Sequence, residues 1–287
     1  MLGGISMYQK NKFKLALCQT LTKDNKKYNV DKAIEFIKKA SENNSDIVCL
    51  GEMFNTPYRT SLFNKNAEEE ENSYTLQRIS EAAKENKVYI VAGSICEKKD
   101  DKYYNTSYVF NREGNIIGKH KKIHLYDVDI KDKIKIKESD IISRGSDITV
   151  IDTEFCKIGL AICYDMRFPE IFRMMVDKGA NLIIVPAAFN TVTGSSHWNT
   201  LIKSRSIDNQ VYVAAVSPAR NYNEEYIIYG HSKVCDPYGK TLGELDEKEG
   251  IMYCDIDLDY LNKIRDELPI LKHRRDDIYS VVKLVNN

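Results

Sequence analysis

The stretch GLAICYDMRFPE, residues 159–170, decides the fold. Residues 158–162 form an apolar run of the length of a buried strand, and Phe168-Pro169-Glu170 opens an amphipathic helix with proline in its first turn. Cys163 therefore stands where a strand gives way to a helix. Functional groups gather at such strand ends in α/β folds, and unpaired backbone N–H groups there favour a thiolate. Read alone, a cysteine near a strand end is more often a small core residue than a nucleophile, because cysteine is among the most buried residue types. Seven cysteines, at 18, 49, 96, 156, 163, 235 and 254, share the candidacy.

Working outward, strand-like runs rich in β-branched and aromatic residues occur at FKLALCQ, DIVCLGE, VYIVAGSIC, TSYVFN, NIIGKHKKI, KIGLAIC, NLIIVPAAF, VYVAAVS and GIMYCDID. Helical patterns alternate with them: Ala33, Ile37 and Ala40 share one face, as do Leu76, Ile79 and Ala83, and Trp198, Leu201 and Ile202 mark another helix. NREGN (111–115) and DPYGK (236–240) read as hairpin turns, so the sheet order is mixed. DIVCLGE and NLIIVPAAF are apolar almost throughout, as strands covered on both faces should be. The pattern predicts an α/β fold with layered sheets and helices.

The 287 residues are 43% hydrophobic, enough for a large core, and no composition break divides them. The expectation is one domain over 13–287 preceded by an extension over 1–12. Forty-two basic residues balance forty-two acidic ones, which creates no field favouring nucleic acid or a membrane surface. No run of eighteen apolar residues occurs, which argues against a helical membrane span. Odd, scattered cysteines without a C-x-x-C pair suggest neither disulfides nor zinc, and MLGGISMYQKNKFK lacks the features of a signal peptide. A reducing, cytoplasmic setting is expected.

A nucleophilic thiol needs a base. His120 and His124 stand four apart in HKKIH, but lysine replaces the glutamate of a zincin helix and the setting reads as strand, so a metal site is not expected. His197 and His231 remain open as partners of the thiol. Two other groups end strands as Cys163 does: Glu52 closes DIVCLGE, and Lys122 ends NIIGKHKK. Each alone reads as a solvated charge. Together, a carboxylate can take the thiol proton and an ammonium can stabilise the oxyanion formed when sulfur attacks a carbonyl. That is acyl transfer without histidine. A cysteine protease is disfavoured, since no C-G-S-C-W signature occurs.

At these residues the chain resembles the nitrilase superfamily, whose members hydrolyse carbon–nitrogen bonds with a Glu-Lys-Cys triad. GEMFNTPY, KHKKIHLYDVDI and GLAICYDMRFPE carry the resemblance in order, from about Phe13 to the C-terminus. IKIKESDIISRGS, AAFNTVTGSSHW, SIDNQVYVAAVSPAR and ELPILKHRRDDIYS point to the omega-amidase branch. The resemblance implies a four-layer αββα sandwich, usually paired as a homodimer, with no metal or organic cofactor. It also implies roles: Glu52 as general base and acid, Lys122 as oxyanion-stabilising amine, Cys163 as nucleophile, and Glu138 in KESD as the group orienting Lys122 and the substrate amide. Gly51 before the glutamate, SRGS at 143–146, and Ser196 and Asn199 in SSHWN depart from the family pattern, which bears on loop geometry and on a dimer contact near Trp198.

The expected intermediate is a thioester, its oxyanion held by Lys122 and the backbone N–H of Tyr164. The expected substrates are the oxo-dicarboxylate monoamides 2-oxoglutaramate and 2-oxosuccinamate. Arg167 is the candidate for their remote carboxylate, since a guanidinium binds one bidentately; the alternative is a structural ion pair at the helix start. A sister branch acting on deaminated glutathione shares YDMRFPE, and a binding member of the fold without turnover is the reading from outside enzymology.

Overall fold

The computed structural model describes residues 10–284, so residues 1–9 of the expected extension lie outside the described residues. The chain opens with β1 (Lys12–Gln19), α1 (Lys26–Glu42), β2 (Ile47–Leu50), α2 (Thr60–Asn66), α3 (Tyr74–Asn86) and β3 (Tyr89–Val91). Strands β4 (Ile95–Lys99), β5 (Lys102–Phe110) and β6 (Ile116–Lys121) follow, then a hairpin of β7 (Asp127–Ile130) and β8 (Ile134–Lys137). Next come β9 (Thr149–Asp152), β10 (Lys157–Leu160), α4 (Pro169–Asp177), β11 (Leu182–Pro186) and α5 (Thr191–Asn209). The last elements are β12 (Tyr212–Val216), β13 (Lys233–Cys235), β14 (Thr241–Glu244), β15 (Gly250–Asp257) and α6 (Leu258–Glu267).

Two main sheets result: one ordered β15-β1-β2-β3-β5-β4 with β6 on β5, the other β14-β13-β12-β11-β10-β9. In each, three central strands run parallel and antiparallel strands flank them. Alternation along β1 explains why its residues 15–18 are apolar in succession. Leu15 and Leu17 point between the sheets toward Leu160 and Ile184, while Ala16 and Cys18 point outward beneath Ile37 of α1 and Ile79 of α3. On the far side, Ile183 and Val185 of β11 are covered by Phe172 of α4 and by Trp198 and Ile202 of α5. The layers are thus α–β–β–α, as the resemblance implies. Fully burying each such leucine or isoleucine is worth about 1.5–3 kcal/mol, so the two-sided strands, rather than helix propensity, hold the layers together.

Several elements differ from the sequence reading. VYIVAGSIC is not one strand: the chain turns between β3 and β4 at Gly93, φ +50°, where a Cβ would lie 2.0 Å from the Gly51 carbonyl oxygen. β2 and β10 stop at Leu50 and Leu160, which leaves Glu52 and Cys163 on the loops beyond. β7 and β8 escaped notice because their alternation is of charged and half-buried residues, with no apolar face to read. The NREGN and DPYGK turns close as expected, with Asn111 N–H on Asn115 O at 3.0 Å and Asp236 N–H on Lys240 O at 2.9 Å. α4 begins at Pro169, its fixed φ placed where the first N–H has no helical acceptor.

Candidate active site

Four loops at one end of the sandwich bring the predicted residues together. Glu52 follows β2 and Cys163 follows β10, from opposite sheets; Lys122 follows β6 and Glu138 follows β8. Glu52, Lys122 and Glu138 are wholly buried, and Cys163 is 4% exposed. Lys122 Nζ donates to both oxygens of Glu138, at 3.1 and 2.8 Å, and to Glu52 Oε1 at 3.0 Å. Tyr58 OH is a longer acceptor at 3.5 Å, so the shortest bonds from the ammonium's three protons go to two carboxylates. Glu52 Oε2 accepts from the Ala188 N–H at 2.7 Å, and Glu52 Oε1 also accepts from Asn105 Nδ2 at 2.8 Å. Glu138 Oε2 accepts from the Tyr126 N–H at 2.7 Å, so the base of the β7–β8 hairpin fixes the second carboxylate. Tyr126 OH in turn accepts from Asn190 Nδ2 at 2.8 Å, and Asn190 Oδ1 caps α5 through the Thr193 N–H. Asn105 Oδ1 is buried without a partner, a loss of about 1–3 kcal/mol that the amide's two carboxylate contacts offset.

Cys163 begins a short 3-10 helical turn and has φ +47°, a left-handed conformation that costs a non-glycine residue about 1–3 kcal/mol. Asp165 holds that elbow. Its carboxylate accepts from the Ile162 N–H at 3.0 Å, the His124 N–H at 2.9 Å and His124 Nδ1 at 2.8 Å, and meets His120 Nε2 at 3.4 Å. The residue two after the thiol thereby grips both histidines that flank Lys122. Burial alone would raise this carboxyl, but the two histidines and the Ile162 N–H hold it well below the usual aspartate range. Its stabilising effect is then full above the ordinary aspartate value of 3.8 and lost as pH falls through the lowered one. Asp165→Ala should cost about 3–5 kcal/mol at neutral pH by stranding these donors. Urea unfolding of both proteins from neutral to strongly acid pH reads this, with the gap between them closing as Asp165 protonates.

Burial pushes Glu52 above the usual carboxylate range, Glu138 adds to the rise, and Lys122 opposes it. Burial alone would lower Lys122, but Glu138 and Glu52 hold its ammonium well above the ordinary lysine value. Burial, joined by Glu52, pushes the Cys163 thiol well above its ordinary value. This corrects the expectation that the strand-to-helix junction favours a thiolate: burial outweighs the junction's backbone dipoles and favours the neutral thiol.

Comparison with known proteins follows from this arrangement. A family model described as carbon-nitrogen hydrolase matches residues 14–266. The chain belongs to the carbon-nitrogen hydrolase family. Nitrilase homolog 2 of Dictyostelium discoideum is 46% identical over 271 residues, 94% of this chain and 82% of that protein. Omega-amidase NIT2-B of Xenopus laevis is 43% identical over 275 residues, 96% of this chain and 99% of the relative. Nit3 of Saccharomyces cerevisiae, a solved member of branch 10 of the nitrilase superfamily, has a TM-score of 0.85 at 41% identity, covering 93% of this chain and 99% of that one.

In this carbon-nitrogen hydrolase the remaining sequence candidates sort as follows. Among the described residues no histidine bonds the thiol: His197 Nδ1 accepts from Arg167 at 3.0 Å, and His231 Nδ1 lies 3.5 Å from Glu244. Arg167 has no carboxylate within 4.0 Å among the described residues, so the structural ion pair weighed for it is not formed; its guanidinium lies over the rings of Tyr164 and Phe189. Tyr164 is half-buried against Tyr126. Gly51 suits its place, since a Cβ there would lie 2.7 Å from Pro218 Cδ. In SRGS the Gly145 N–H donates to the Lys122 carbonyl at 2.8 Å. Asn199 accepts from the buried Lys233, and Ser196 is exposed. Trp198 is fully buried and donates to His231 O at 2.7 Å, while its neighbours His197 and Asn199 are exposed. Asn105, Asp165, Tyr126 and the Ala188 N–H were not singled out in the sequence, since nothing local marks them. A cavity of about 440 Å³ opens beside Tyr58, Arg59, Lys133, Asn190 and Tyr226, and of its lining Tyr58 OH lies 3.5 Å from Lys122 Nζ. A larger one of about 640 Å³, beside Glu71 and Gln77 of the α3 region, contains none of these groups.

Proposed function

We propose that the chain hydrolyses the terminal amide of small oxo-dicarboxylate monoamides, such as 2-oxoglutaramate and 2-oxosuccinamate, through a thioester on Cys163. Amide hydrolysis as such accords with the family and with relatives named omega-amidases. The observation that carries the reading is the buried ammonium of Lys122 clasped by Glu52 and Glu138 beside a buried thiol.

In the first half-reaction Glu52 takes the Cys163 proton and sulfur bonds to the amide carbon, whose oxygen becomes an oxyanion. Protonation neutralises Glu52, so the Lys122 proton that it held is released toward the oxyanion at the moment charge appears there. The Tyr164 N–H, at the start of the 3-10 turn and without an intrahelical acceptor, is the second donor. Collapse breaks the carbon–nitrogen bond, and the leaving nitrogen takes the proton from Glu52 and departs as ammonia. Water, deprotonated by Glu52, then attacks the thioester; the carbon–sulfur bond breaks and the thiolate recovers the proton. Glu138 holds Lys122 throughout.

Arg167 is the group proposed for the remote carboxylate, because its present partner is a histidine and its guanidinium is only half-buried. Arg167→Met should lower kcat/KM for anionic amides by about 10- to 150-fold, the loss of a charge-assisted hydrogen bond worth roughly 1.5–3 kcal/mol. Neutral amides of similar length should change little. Ammonia release from 2-oxoglutaramate, 2-oxosuccinamate, deaminated glutathione and a neutral amide, with a melting curve on the same variant, is the test. Equal losses on every amide with a lower melting point would assign Arg167 to structure. Preferred turnover of deaminated glutathione, whose acyl group is longer, is the competing outcome. A homodimer belongs to the same proposal, supported by the exposed Ile207, Tyr238 and Leu268 around one surface depression.

A further inference from the structure

Among the described residues, Asn105 on β5 is the uncharged side chain that reaches both carboxylates flanking Lys122. Its Nδ2 lies 2.8 Å from Glu52 Oε1 and 3.4 Å from Glu138 Oε1, and its carbonyl accepts the Lys122 N–H at 2.9 Å. That last bond adds one rung to the β5–β6 ladder beyond the Thr106–Lys121 pair, so the lysine backbone and the base carboxylate are both referred to the same residue. The amide is fully buried, and its Oδ1 has no partner. The opposite orientation would set an oxygen against two carboxylates, so the carboxylates fix the amide, and the orphaned oxygen is the consequence.

We propose that Asn105 is a positioning residue that holds Glu52 in its ionised form and in line with Lys122, and so sets the pH at which the base becomes competent. The inference rests on the proposed role of Glu52. The groups that face Glu52 are Lys122 after β6, Glu138 after β8, Cys163 after β10, and the phenols of Tyr58 and Tyr226. Of these only Lys122 favours the carboxylate form by charge; the other carboxylate and a thiolate oppose it. Neutral donors supply the rest without a second cation that would compete with Lys122 for the oxyanion: the Ala188 N–H holds Oε2, and the Asn105 amide holds Oε1, the oxygen that Lys122 also uses.

The experiment is the pH profile of kcat/KM for ammonia release, on whichever amide the wild-type enzyme turns over best, for wild type and Asn105→Ala. Losing a donor to the ionised base should move the acid limb up by about one to two pH units, with the loss falling on kcat more than on KM and activity recovering as pH rises. An acid limb in its wild-type position, with or without a uniform loss of rate, would overturn the proposal, because a residue that only packs the strand has no reason to move it. If the alanine variant does not fold, Asn105→Ser is read instead: its hydroxyl is a bond short of both carboxylates, so the same upward shift is expected and an unmoved limb has the same meaning. Failure of the wild-type enzyme to release ammonia from any amide would instead strike the proposed function, and so the two failures are distinguishable.

Discussion

Cys163→Ala is expected to abolish ammonia release, a loss on the order of 10⁴–10⁶-fold, while the urea midpoint stays close to that of the wild type. The side chain removed is small, and alanine meets the same left-handed elbow with no greater backbone penalty than cysteine. Turnover at a tenth of the normal rate or better would remove Cys163 from the chemistry. Cys156, in the layer between the sheets, and Cys235, beneath the outer helices, are buried controls. Their alanine variants should lose stability and keep kcat.

Glu52→Gln should slow both formation and breakdown of the thioester, by about 10²–10⁴-fold for a lost general base. Glutamine preserves shape but offers one acceptor where the pocket asks for two: the Ala188 N–H on one side, and Lys122 with Asn105 on the other. Because burial raises the Glu52 carboxyl, wild-type activity should fall as pH drops through a value above the ordinary carboxylate range, the side on which the base becomes protonated. That acid limb should be absent from the residual activity of the glutamine variant. Single-turnover kinetics across pH reads both effects, and a normal acylation rate in Glu52→Gln would mean that another base acts.

Parts of the structure that depend on near neighbours in sequence were legible. β1, β2, β11 and β12 are apolar on successive residues because both their faces are covered, and Pro169 marks the start of α4 because proline fits a helix's first turn. Glu52, Lys122 and Cys163 could be proposed together because each follows an identifiable strand, and the family resemblance then linked them to Glu138. What depends on distant residues was hidden. The sequence HKKIH looks like a failed metal motif until Asp165, 41 residues beyond His124, is found accepting from it. Asn105 sits between Tyr104 and Thr106 in an ordinary strand, and only the folded register places its amide against Glu52. The protonation of Cys163 was misread for a related reason: a strand end suggests exposed dipoles, whereas burial beside Glu52 dominates once the sheets close over the sulfur.

The central claim is that an acyl group passes through Cys163. Wild-type enzyme mixed with 2-oxoglutaramate, quenched in acid within a single turnover and cleaved for peptide mass mapping, tests it most directly. The account predicts the acyl mass on the peptide containing Cys163, formed in step with the first equivalent of ammonia and missing from Cys163→Ala. Ammonia released with no acyl mass on that peptide, or with the adduct on another of the seven cysteines, would contradict it.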